Sequence, residues 1–142
     1  MAKQAITDVE ITNCFSVMSE LRPHLKEGSF LDLVRDMEKE GYKLVYIEEN
    51  KEVVAVAGFR ILTNLFMGKN FYVDDLVTAE KQRSKKYGEK MLLWLRSIAN
   101  ENNCNYFHLD SGTHRHEAHK FYFRNGLSIA SFHFSENLSA TR

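Results

Sequence analysis

Apolar residues recur at spacings of three and four from the start of the chain. Val9, Ile11, Phe15, Val17, Met18 and Leu21 would share one face of a helix over residues 8–21, with Asp8 available as its cap. Pro23 ends that pattern. Ser29 precedes a second amphipathic run, Phe30, Leu31, Leu33, Val34 and Met37, which closes at Gly41. The texture then turns to β. Residues 42–47, a polar turn at 48–51 and the apolar run 53–59 predict a hairpin with a buried second strand. A turn at 67–70 leads into residues 71–77, the third strand of an antiparallel meander. Tyr87, Met91, Leu92, Leu95, Ile98 and Ala99 line one face of a further helix. After it come a short strand over 106–109, a helix over 113–124 closed by Asn125-Gly126, and a final strand over 129–134.

The order αα-βββ-α-β-α-β places the chain in the α+β class, with one central mixed sheet and about four helices. Its 142 residues suit a single domain over 1–142, and no linker-like or repeated segment divides them. Nineteen Lys plus Arg balance nineteen Asp plus Glu, which argues against a broad nucleic-acid or anionic-lipid footprint. No apolar stretch is long enough to span a bilayer, and the N-terminus lacks a signal-peptide core. Only Cys14 and Cys104 occur, too few for a disulfide framework, so a reducing, cytoplasmic setting is expected.

Candidate chemistry begins in the connection Thr78-Ala79-Glu80-Lys81-Gln82-Arg83-Ser84-Lys85-Lys86-Tyr87-Gly88. A helix N-terminus offers unpaired N–H groups and a positive dipole end. Gly88 permits close backbone approach there, and Arg83, Lys85 and Lys86 add charge suited to a diphosphate. A solvated basic turn is the plainer alternative. No GxxxxGK[ST] or GxGxxG motif is present, which lowers nucleotide hydrolysis and nicotinamide chemistry.

The stretch from Asp74 to Trp94 resembles the acetyl-CoA-binding segment of the GNAT superfamily of N-acetyltransferases. The family's [RQ]-x-x-G-x-[GA] signature falls on Arg83-Ser84-Lys85-Lys86-Tyr87-Gly88, with Lys86 in place of the first glycine. Downstream, Ala118, Phe121, Tyr122 and Gly126 are in register with the family's A-x-x-F-Y-x-x-x-G-F segment, with Leu127 replacing the last Phe. The run His114-Arg115-His116-Glu117-Ala118-His119-Lys120-Phe121-Tyr122 is also similar to the matching helix of aminoalkylphosphonate acetyltransferases. The resemblance spans roughly residues 42 to 134. It implies a sheet splayed between its fourth and fifth strands, with acetyl-CoA as cosubstrate in the cleft.

Residue by residue, the resemblance implies that Leu76, Val77, Arg83, Ser84, Lys85, Lys86, Tyr87, Gly88 and Glu89 bind the cosubstrate. A backbone N–H near Leu76 or Val77 would polarise the thioester carbonyl at a strand bulge. An amine with a pKa of about 10.4 must lose a proton before it attacks, a task for a carboxylate. By similarity to polyamine-type enzymes, Asp74 would assist deprotonation and Asp75 would contact the substrate amine. Strand alternation predicts that these two point to opposite sides; crowding on one side would raise one carboxyl pKa. Tyr122 is the candidate acid for the departing thiolate, while Phe121 and Phe123 read as core. Arg115 and His119 are candidates for holding an anionic group of the substrate. His114, His116 and His119 do not form an HExxH pattern, and no metal is expected. Cys104 reads as an ordinary thiol, so attack by the amine is direct.

The expected acceptor is a small-molecule primary amine. A protein lysine or N-terminus, or a non-catalytic CoA-binding sensor, are the alternatives. No nucleic-acid or membrane partner is expected, and the Phe-rich C-terminal tail is compatible with a homodimer.

Overall fold

The computed structural model describes residues 1–142. The chain divides into two compact units, Met1–Leu109 and Asp110–Arg142. The first unit contains β1 (Ala2–Gln4), α1 (Asp8–Asn13), α2 (Phe15–Leu21), α3 (Glu27–Glu38), β2 (Lys43–Glu49), β3 (Glu52–Asn64), β4 (Gly68–Thr78), α4 (Tyr87–Glu101) and β5 (Tyr106–Leu109). The five strands lie in chain order, β1-β2-β3-β4-β5. The first three pairings are antiparallel and β4–β5 is parallel, as expected of a mixed, mostly antiparallel sheet.

The helix expected over 8–21 is two helices. Thr7, not Asp8, is the N-cap. Its hydroxyl accepts from the Glu10 amide at 3.1 Å while the Glu10 carboxylate accepts from the Thr7 amide at 2.9 Å, a reciprocal capping box. The first helix stops after the weak helix formers Thr12 and Asn13, where the Cys14 amide turns to Ile11 O instead of continuing the ladder. This break brings the helix total to five. Strand β1 carries no periodic signal because it is three residues long; the sheet recruits it through the Ala2↔Ile47 register. Between β2 and β3, Asn50 (φ 52°) and Lys51 (φ 65°) both take positive φ, the geometry of a two-residue hairpin whose twist matches its strands.

Both faces of the sheet are covered, so its central strands read as nearly continuous apolar runs. Ile11, Val17, Met18, Phe30 and Val34 of α1–α3 pack against Leu44, Tyr46, Val56 and Val77. On the other face Met91, Leu95 and Ala99 of α4 pack against Val45, Ile47, Ala57, Phe59, Phe71 and Val73. Phe71 stacks between Phe59 and Phe107, with ring centroids 4.4 and 5.3 Å away.

The second unit contains α5 (His116–Arg124), which begins three residues later than its pattern predicts. Gly126 (φ 86°) closes it as the Leu127 amide returns to Tyr122 O. The strand expected over 129–134 does not form. Those residues alternate in a way that suits a strand, but a strand exists only against a ladder partner, and this segment has none. Ile129, Phe132 and Phe134 are left 69, 83 and 91% exposed.

One close approach fixes the end of the sheet that matters below. A Cβ built on Gly58 would overlap the ring and hydroxyl of Tyr42, which crosses the sheet surface at that point. Gly58→Ala should therefore lower stability by about 2–3 kcal/mol, read as a fall in the urea midpoint at unchanged m-value. An unchanged midpoint would mean that Tyr42 moves freely aside.

Candidate active site

Strand β4 pairs with β3 along its whole length but with β5 only over Asn70–Val73. From Asp74 onward its outer edge has no strand beside it, so the sheet opens where the sequence motif begins. Alternate backbone groups along that edge point away from β3. One of them, Asp74 O, accepts from Arg22 Nη2 at 3.0 Å.

The register shifts at the same place. Val73 pairs with Phe59 and Asp75 with Gly58, so Asp74 is an extra residue in the ladder. Val73 and Leu76 both pack on the α4 side of the sheet, whereas Val77 packs on the α1–α3 side. Strict alternation cannot satisfy these positions without the inserted residue. The expectation that Asp74 and Asp75 point to opposite sides is thus overturned by the bulge. The bulge also lies two residues earlier than Leu76, within the acidic pair itself.

Three side chains close around the pair. Arg22, the C-cap residue of α2, donates Nε to Asp75 Oδ1 at 3.0 Å and brings Nη2 to the same oxygen at 3.0 Å. Tyr42 donates its hydroxyl to Asp75 Oδ2 at 2.8 Å. Arg60 donates Nε to Asp74 Oδ2 at 3.2 Å, and its guanidinium lies 5.7 Å from the Tyr42 ring centroid. Both Asp75 oxygens hold partners, and its side chain is 11% exposed. Asp74 Oδ1 is buried with no hydrogen-bond partner. An orphaned buried carboxylate oxygen is rare enough to mark a site of strain or chemistry.

Burial pushes the Asp74 carboxyl above its usual 3.8, opposed by Arg60 and reinforced by the Asp75 charge. The like charge expected to matter for two carboxylates on one side contributes in that direction, behind burial and against Arg60. Tyr42 is pushed well above its usual range by burial and by Asp75, so it stays a phenol and a donor.

The basic connection enters α4 without any side-chain cap. Lys86, its N-cap, is left-handed at φ 63°, and Ser84 is left-handed at φ 74°, with Arg83 extended before them. The first-turn amides of Tyr87, Gly88 and Glu89 therefore carry no protein cap, which suits an anion. Lys85 leans back to Gln82 Oε1 at 3.0 Å and Lys81 pairs with Glu52 at 3.2 Å. Of the basic residues in the motif, Arg83, Lys85 and Lys86, none forms an ion pair, and only Lys85 has a side-chain hydrogen bond. Leu76 is half-buried and Val77 buried, so both can contribute to a ligand only through the backbone edge.

In the second unit, burial raises the Tyr122 hydroxyl above its usual 10.0, while the Arg115 charge opposes the rise. His119 Nε2 lies 2.8 Å from Gly112 O, and its ring centroid is 6.1 Å from that of His116. No group of three His, Cys, Asp or Glu side chains is arranged to hold a metal ion. No helix is long and apolar enough to cross a membrane.

Arg22, Tyr42, Gly58 and Arg60 were not among the residues singled out by sequence. Arg60 was within reach, since it lies across a hairpin from the acidic pair. Arg22 and Tyr42, 53 and 33 residues from Asp75, carry no local signal.

Known proteins resemble this chain in sequence and in fold. The acetyltransferase (GNAT) family matches residues 9–127. An uncharacterized N-acetyltransferase, YhdJ, of Bacillus subtilis is 32% identical over 134 residues, covering 93% of this chain and 94% of that protein. A shorter match, 29% identical over 66 residues, covers 46% of this chain and 43% of an aminoalkylphosphonate N-acetyltransferase of Salmonella typhimurium. Among solved structures, glucosamine-6-phosphate N-acetyltransferase from Arabidopsis thaliana superimposes with a TM-score of 0.77 at 20% identity, over 97% of this chain and 99% of that one. AAC(6')-Iy, solved in complex with the bisubstrate analogue CoA-S-monomethyl-acetylneamine, gives a TM-score of 0.82 at 8% identity, over 96% of each chain. The chain belongs to the GNAT acetyltransferase family, and with it to the acyl-CoA-dependent N-acetyltransferases.

Where the family signature carries its first glycine, Lys86 takes a left-handed backbone at a cost of roughly 1–2 kcal/mol. Glycine would remove that strain but loses more chain entropy on folding, roughly 0.5–1 kcal/mol. Lys86→Gly should consequently raise stability by about 0.5 kcal/mol, visible as a small increase in Tm. A fall in Tm would show that the lysine side chain contributes more than its backbone costs.

Proposed function

We propose that the protein transfers the acetyl group of acetyl-CoA directly to the primary amine of a small molecule, as one catalytic domain over residues 1–142. The observation that carries this reading is Asp74: a half-buried carboxylate with a raised pKa and an unpartnered oxygen, at the point where β4 loses its neighbour. In the proposed reaction Asp74 accepts the proton of the substrate ammonium, through water or directly. The amine nitrogen then bonds to the acetyl carbon and the C–S bond breaks. Tyr122 gives its proton to the CoA thiolate, the attacking nitrogen sheds its second proton as it becomes the amide, and that proton, passed through water, restores the Tyr122 phenol; a backbone N–H near Leu76 or Val77 holds the carbonyl oxygen during transfer.

The cosubstrate assignment is supported by the uncapped start of α4 and the left-handed Ser84 and Lys86. In this reading Arg83, Ser84, Lys85, Lys86, Tyr87, Gly88 and Glu89 surround the diphosphate. The bisubstrate complex of AAC(6')-Iy, a protein of the same fold, supports a CoA thioester. Arg115 and His119 are proposed to meet the polar part of the acceptor. The family match crosses both compact units, which supports a single domain. The two free thiols support a cytoplasmic setting, and the exposed apolar residues of the C-terminal segment support a homodimer.

The test is a panel of phosphonate amines, polyamines and a lysine peptide, assayed for free CoA. At least one small amine should release thiol in the wild type. Asp74→Asn should cut kcat/KM by about 100-fold or more while leaving protection by acetyl-CoA against thermal unfolding intact. Because the folded-state pKa of Asp74 lies above 3.8, folding gains from its proton at low pH and loses that gain as pH rises through the folded value. Asp74→Asn should therefore melt no lower than wild type at pH 7. Preference for the lysine peptide would point to a protein acceptor, and no thiol release with any amine would point to a sensor.

A further inference from the structure

The bulge on β4 is held from one side only. Asp75 receives three of the contacts described above, two from Arg22 and one from Tyr42, and both residues belong to segments that precede the sheet's central hairpin. Arg22 also ties down the Asp74 carbonyl, so a single guanidinium spans the side chain of one aspartate and the main chain of the other. Tyr42 reaches Asp75 only because Gly58 has no side chain in its path. The Asp74 side chain takes no part in this anchoring; it touches Arg60 alone. We infer that Asp75 is a positioning residue that, clamped by Arg22 and Tyr42 through the gap at Gly58, sets the place and orientation of Asp74. It does not bind the substrate amine. This inference rests on the assignment of Asp74 as the base.

An ammonium seeking Asp75 would have to displace either a guanidinium that meets one oxygen through two nitrogens or a buried phenol on the other oxygen. Charge-assisted bonds of this kind are the strong ones, and breaking a part-buried pair leaves both members poorly solvated. Asp74 presents an oxygen with no bond to lose. The division of labour follows from which carboxylate has already spent its acceptors.

The charged and titratable groups around Asp74 are Arg60, Arg22, Asp75 and Tyr42, and they act on it with different signs: Asp75 raises its pKa, Arg60 and Arg22 lower it. That gives a test independent of turnover. Followed by carbon NMR of the Asp74 carboxyl in the uncomplexed protein, the titration midpoint should fall in Asp75→Asn and rise in Arg22→Gln. General loosening of the fold would move both variants in one direction, towards the ordinary value, and would overturn the inference. In steady-state kinetics Tyr42→Phe, which keeps the ring and removes the donor, should lower kcat by about tenfold with the amine KM within about twofold of wild type. Asp75→Asn should likewise act on kcat and move the acid limb of the pH profile to lower pH. A rise of about tenfold in amine KM at unchanged kcat in either variant would make Asp75 a substrate ligand and overturn the proposal. Should the wild type release no CoA from any amine, the enzymatic reading fails on its own, and the two titration shifts still decide whether the clamp controls Asp74.

Discussion

Two adjacent carboxylates on one face of a strand repel each other, and burying them raises the cost of ionising either. The protein accommodates the pair with two guanidiniums and one phenol arranged in a closed circuit. Arg22 and Tyr42 hold Asp75, Arg60 holds Asp74, and Arg60 lies over the ring of Tyr42. The formal charges of the two aspartates and two arginines cancel, yet the distribution is uneven. Asp75 has all its partners on its two oxygens, and Asp74 is left one oxygen short. The bulge is what permits this asymmetry, since without it one of the two would face α4 and the apolar cluster around Met91 and Leu95. Gly58 in turn permits the bulge to be anchored, because Tyr42 must lie where a Cβ would be.

The same stretch of chain serves a second purpose through its backbone. Strand β4 outruns β5 by the residues Asp74 to Thr78, and the connection that follows delivers the uncapped amides of α4. A ligand that uses both would have an extended part along the strand edge and an anionic part at the helix start. These two demands differ in kind. The edge needs a straight strand held by β3, whereas the helix start needs a tight turn. The turn is made here with left-handed Ser84 and Lys86, without glycine at either place. Strain in non-glycine residues survives only where the neighbouring structure dictates the backbone. Lys81 paired to Glu52, Lys85 bonded to Gln82 and the Glu80 amide bonded to Glu20 tie the connection down on both sides.

Much of this was legible in the sequence wherever the signal is periodic or local. The α4 face, the β2–β3 hairpin, the meander and the acidic end of β4 all follow from spacing and turn chemistry. The two motifs, in their order along the chain, single out the loop over 83–89 and Tyr122 as candidates. What was not legible depends on long-range partners. A three-residue strand such as β1 has no period to detect and exists because Ile47 offers it an edge. The segment 129–134 has the composition of a strand but lacks a ladder, the converse case. The bulge at Asp74 reverses the direction of every residue after it, and alternation counted from the sequence cannot see an inserted residue. Arg22 and Tyr42 meet Asp75 only after the sheet has formed, so their role was hidden although their identities were plain.

The unevenness around Asp74 also bears on the energetics of the proposed reaction. Between an alkylammonium of pKa about 10.4 and an ordinary aspartate near 3.9 lies a gap of roughly 9 kcal/mol, at about 1.36 kcal/mol per unit. A carboxylate of ordinary basicity would spend much of the available barrier on that proton transfer alone. Burial works on both partners in the useful direction, raising the acid's pKa and lowering the ammonium's, because each loses hydration of its charged form. Arg60 limits the first effect, since its charge stabilises the carboxylate. Asp75 counters Arg60, but an Asp75 free to swing away or bind a cation would lose that influence. Arg22 and the Tyr42 phenol, which stays protonated, hold the Asp75 side chain in place beside Asp74. If Asp74 is the base of the proposed reaction, a fixed like charge beside it is worth more to proton transfer than a second carboxylate competing for the same amine.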